Sequence, residues 1–94
     1  MPSSIASFPE FDRRLAAARL GIEALVARMP EESALESIKR QLEALHAWTR
    51  DERAPAQDEK DQLNFGLLAS RYLSDLDDAL AAELYELASF VIYW

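Results

Sequence analysis

The chain has no cysteine, which excludes a disulfide framework, a thiolate metal site and a thiol nucleophile. Glycine occurs only twice, at Gly21 and Gly66, so no glycine-rich loop exists to cradle a phosphate. The longest unbroken apolar run is Phe90–Trp94, far short of the ~20 residues that cross a bilayer. The opening Met1–Ser7 lacks the basic and apolar regions of a secretory leader. The expectation is a cytoplasmic protein with no membrane partner. Positive charge is also scarce: 10 bases stand against 17 acids, a net charge of −7. From Tyr72 onward the chain carries Asp75, Asp77, Asp78, Glu83 and Glu86 and no base. That balance repels phosphate backbones, so no nucleic-acid partner is expected, whereas a basic protein surface would be attracted.

What is abundant is helix-forming. Half of the 94 residues are hydrophobic, and Ala, Leu, Glu and Arg dominate. One helical domain over residues 1–94 is expected, burying roughly 60–65% of its unfolded surface. Residues 1–6 read as a disordered tail. Ser7-Phe-Pro-Glu10 then has the form of a capping box. Phe11, Leu15, Ala18, Ile22, Leu25 and Met29 recur at +3 and +4 spacings as one apolar seam, widened by Leu20 and Val26. Met29-Pro30 ends it, and Pro30-Glu31-Glu32 reads as the next start. Leu35, Ile38, Leu42, Leu45 and Thr49 repeat the seam, so the first two helices form an antiparallel hairpin. Residues 50–57 lack periodicity, contain Pro55 and read as the longest loop.

The third helix, 58–73, has almost no polar side. Leu63, Gly66, Leu67, Ser70 and Leu73 share one face while Phe65, Leu68 and Tyr72 point the other way at about 100° per residue. This predicts a buried central element around which the rest packs, with Gly66 marking a close helix approach. Ser74–Asp78 supplies caps for a fourth helix whose seam is Leu80, Leu84, Leu87, Val91 and Trp94. The fold class is all-α: an antiparallel bundle of about four helices in two hairpins.

Catalytic constellations are missing. Glu43-Ala-Leu-His46 has the spacing of a carboxylate-bridged metal site, but one histidine cannot complete such a site within one chain. Asp75-Leu-Asp77 echoes a calcium loop, with Leu80 where the turn needs glycine. No catalytic, cofactor-binding or metal-binding residue is assigned, and no enzyme activity is expected. A partner surface is the remaining possibility. Opposite the fourth seam lie Asp75, Asp78, Ala82, Glu86, Ser89 and Tyr93, expected to face outward as one acidic strip. The aromatic ending Phe90, Tyr93, Trp94 either folds onto the bundle or offers interface anchors.

From Phe11 to Ile92 the order of features resembles a known family. An amphipathic helix ends at Met29-Pro30, and a second carries Gln41-Leu42. A polar loop follows, then a helix with Gly66, Ala69 and Arg71, then Leu80-Ala-Ala-Glu-Leu-Tyr85. This resembles the small all-helical immunity proteins that neutralise NAD(P)-degrading effectors of bacterial type VI secretion. The resemblance implies an antitoxin that binds and occludes a cognate toxin domain and carries no active-site residues. The competing reading is a homodimeric helical adaptor or scaffold without a toxin partner.

Overall fold

Helical periodicity governs the whole chain, and the computed structural model describes residues 3–94. The helices are α1 (Phe8–Arg28), α2 (Ser33–Trp48), the single turn α3 (Gln57–Lys60), α4 (Phe65–Tyr72) and α5 (Asp78–Ile92). A 3-10 turn spans Arg50–Glu52, and no strand forms among the described residues. The all-α bundle expected from the sequence is present. Its long helices pack as a ring, α1 on α2, α2 on α4, α4 on α5 and α5 on α1.

The expected seams are the core. Phe11, Leu15, Ala18, Ile22 and Leu25 of α1 are buried against Leu35, Ile38, Leu42 and Leu45 of α2 and Leu84, Leu87 and Val91 of α5. Each of these side chains except the small Ala18 contributes about 1.5–3 kcal/mol by leaving water. Thr49 is buried too, its hydroxyl donating to the Leu45 carbonyl at 2.8 Å. Leu20 is exposed and widens nothing. α1 and α5 run antiparallel: Phe11 stacks on Phe90 with ring centroids 4.8 Å apart, Arg14 meets Glu83, and Gly21 lies against Leu80. Phe90 and Trp94 therefore pack inward, with Phe8 and Phe11 completing an aromatic cluster.

The buried central helix over 58–73 is not found. The segment is divided into α3 and α4, and in a ring no helix is central. The division has a local cause at Asn64, the residue capping α4. Gln41 of α2 accepts the Asn64 backbone N–H at 2.7 Å and donates its amide to the Asn64 side chain. These bonds satisfy Asn64 outside a continuous helix. In α4 only Phe65 and Ala69, followed by Leu73, are buried. Leu67 is 54% exposed.

Other boundaries shift for identifiable reasons. Ser7 caps α1 by accepting the Glu10 N–H, but the Glu10 carboxylate turns to Arg14 at 2.8 Å and leaves the capping box half made. Pro30 sits in the turn, and α2 begins at Ser33 with Glu32 as its cap. Asp77 caps α5, accepting the Leu80 N–H at 3.0 Å.

Residues 3–6, expected within a disordered tail, lie along α5. The Ser4 N–H and hydroxyl both donate to Glu86, at 3.2 and 3.0 Å, and Ile5 is buried. Met1 and Pro2 fall outside the described residues. The loop after α2 is anchored as well. Pro55 is buried, and Arg53 donates to the Trp48 carbonyl and to Glu59.

Candidate functional site

The six residues of the expected strip do not form one outward face. Asp75 precedes α5 in the connecting turn. Asp78 and Ala82 are exposed, as is Tyr93. Ser89 is buried, with only 7% of its surface exposed. The cause is the α4 contact: the apolar side of α5 is wide enough to serve two neighbours, so the solvent side is narrower than the Leu80–Val91 seam suggests. Glu86 is engaged by Ser4, and these hydrogen bonds, first the backbone N–H and then the hydroxyl, hold its carboxyl below the usual range against the opposing effect of burial.

A different feature stands where Ser89 leads. Along the α4–α5 junction runs an open groove of about 540 Å³, walled by Leu63 and Leu67 on one side and Tyr85, Ile92 and Tyr93 on the other. Its floor is made of small residues, Gly66, Ser70, Ala88 and Ser89. The floor is low because the two helices nearly touch: a Cβ at Gly66 would lie 3.0 Å from that of Ala88. The walls are exposed in spite of their chemistry, with Tyr85 at 59%, Ile92 at 65% and Tyr93 at 63%. Large apolar side chains gathered along one cleft, unlike scattered single ones, mark interaction surfaces.

Of these residues, Leu67 was expected to be buried in a central helix, and Tyr85 and Ile92 were given no surface role by the sequence reading. A signal existed. At about 100° per residue, Tyr85, Ser89 and Ile92 fall on the same side of α5 as Asp78 and Ala82.

The five acids after Tyr72 have distinct duties. Asp77 caps α5. Glu83 grips Arg14 through paired bonds of 2.7 and 2.6 Å. The Glu83 bonds raise the guanidinium pKa against the opposing effect of burial, and Glu10 adds to the rise. Glu86 holds Ser4. Asp75 and Asp78 are exposed and have no hydrogen-bonded or ion-paired side-chain partner among the described residues. The single cation lining the groove, Lys60, donates to the main-chain oxygen of Trp94 at 3.1 Å. No group of three or more metal-ligating side chains gathers among the described residues, and no helix there is long and apolar enough to cross a membrane.

Compared with known proteins, the chain matches one family model, described as Tsi6, over residues 8–93. No curated protein and no solved structure matches it.

Proposed function

Because the chain belongs to the Tsi6 family of type VI secretion immunity proteins, we propose that it binds a cognate secreted toxin domain, an NAD(P)-degrading effector, and occludes it. The family match over residues 8–93 carries this reading. The mechanism is steric. A rigid bundle presents a preformed surface, the toxin domain docks on it, and its dinucleotide cleft is closed to substrate. No bond is made or broken by this chain in such a mechanism. Protection would operate in the cytoplasm of the producing cell, where the NAD(P) pool lies. The excess of acid over base supports fast association with a basic partner.

The test is co-expression in a sensitive host with the toxin domain encoded by the adjacent open reading frame. Growth and the cellular NAD(P) pool should both be preserved when this chain is present and both collapse without it. Continued loss of the pool at matched expression would contradict the reading. The adaptor reading draws on the same exposed groove, which a second copy would cover. A stable dimer together with an unrelated operon would favour it.

A further inference from the structure

We propose that the α4–α5 groove is the face that takes the toxin domain, and that its occupant is a segment carrying apolar anchor side chains flanked by lysine or arginine. The proposal rests on the immunity function above and adds to it the surface and the chemistry of the partner.

Two observations carry it. The first is shape and polarity: a cleft of about 540 Å³ with small residues on the floor and Leu67, Tyr85, Ile92 and Tyr93 exposed on its walls. Such walls suit intruding apolar side chains, and tyrosine is a favoured anchor because it buries a large ring while its hydroxyl stays wet. The second is charge. Of the five acids in the base-free stretch, three are satisfied within the fold and two have no side-chain partner among the described residues. The unsatisfied pair, Asp75 and Asp78, lies at the α5 N-terminal end, and Asp78 falls on the same side of α5 as Tyr85. The apolar groove and the free Asp78 carboxylate thus share one side of α5, with Asp75 in the turn just before the helix.

Charge also decides between occupants. A second copy would bring another net −7 and its own free Asp75 and Asp78 to the contact. Of the bases near the groove, Lys60 is bound to the Trp94 oxygen, and Arg71, one helical turn past Leu67, does not line it. A basic partner meets neither obstacle. Lysine or arginine beside its apolar anchors would pair with Asp75 and Asp78 and accelerate encounter.

The experiment measures binding kinetics of the purified toxin domain encoded by the adjacent reading frame. Its analytes are the wild-type chain, Leu67→Ala, Tyr85→Ala, Ile92→Ala, the pair Asp75→Lys with Asp78→Lys, and Leu20→Ala as an exposed apolar control outside the groove. Circular dichroism checks folding, and sedimentation gives the oligomeric state. At least one wall variant should dissociate roughly tenfold faster, the size of an anchor residue. The double lysine variant should associate several-fold more slowly at low salt, with the difference shrinking as salt rises. Leu20→Ala should match the wild type. If the wild type binds and every groove variant binds equally well, the groove assignment fails and the immunity function stands. A dimer that Leu67→Ala dissociates would assign the groove to a second copy instead. If the wild-type chain does not bind the toxin domain, the immunity function fails and the groove assignment fails with it.

Discussion

Gly66 of α4 and Ala88 of α5 meet so closely that a methyl group at position 66 would stand 3.0 Å from the Ala88 Cβ. Neither group can rotate away, since both would be fixed to helical backbone. Alanine at 66 gains about 1 kcal/mol in helix propensity, while overpacking a tight contact costs about 1–3 kcal/mol. Gly66→Ala should therefore lower stability by about 1 kcal/mol. Adding Ala88→Gly should show favourable coupling in a double-mutant cycle read by denaturant unfolding. A Gly66→Ala variant more stable than its parent would mean that α4 does not depend on this approach.

Core and groove residues of the same type should respond differently. Leu42 is fully buried and Leu67 is half exposed. Leu42→Ala should cost about 2–5 kcal/mol, and Leu67→Ala less than about 1 kcal/mol. Equal thermal shifts would contradict the placement of α4.

Backbone strain is concentrated at Asp51 and Glu52, with φ of 62° and 63°. For residues other than glycine this left-handed conformation costs roughly 1–2 kcal/mol. Glu52→Gly should raise stability by about 0.5 kcal/mol after the unfolded-state entropy of glycine is counted. Glu52→Val should lower it by more than that. Calorimetric melting of both variants checks the pair.

The Ser4–Glu86 bonds predict a pH-dependent N-terminal segment. Because the folded carboxyl is held below its ordinary value of 4.5, the bonds contribute fully above that pH. Their contribution is lost as pH falls through the lowered value. Protection of the Ser4 and Ile5 amides, measured against their intrinsic exchange rate at each pH, should fall in that acidic window before the bundle unfolds. In Glu86→Gln the same amides should exchange faster at neutral pH and lose this step.

How far the sequence could be read depended on the separation of the interacting partners. The seams of α1 and α2 and most of the α5 seam were legible because each follows from one helix's own periodicity. The seam Phe11–Leu25 is buried as spaced. Residues 63–73 misled because two different apolar faces lie on one segment. Phe65, Ala69 and Leu73 enter the core, while Leu63 and Leu67 wall the groove, and periodicity cannot tell a buried stripe from an exposed one. The break at Asn64 depends on Gln41, and the engagement of the Glu86 carboxylate on Ser4. Both partners are distant in sequence and become visible only in the fold. Ser89 was misassigned because the seam of α5 fixes its core side but not how far α4 covers its flank.

The most direct measurement of the central claim is NAD(P) hydrolysis by the purified toxin domain titrated with this protein. The account predicts that activity falls linearly to zero at one equivalent, and that the groove variant with the fastest dissociation needs a molar excess for the same loss. Undiminished hydrolysis at a large excess of wild-type protein would contradict it.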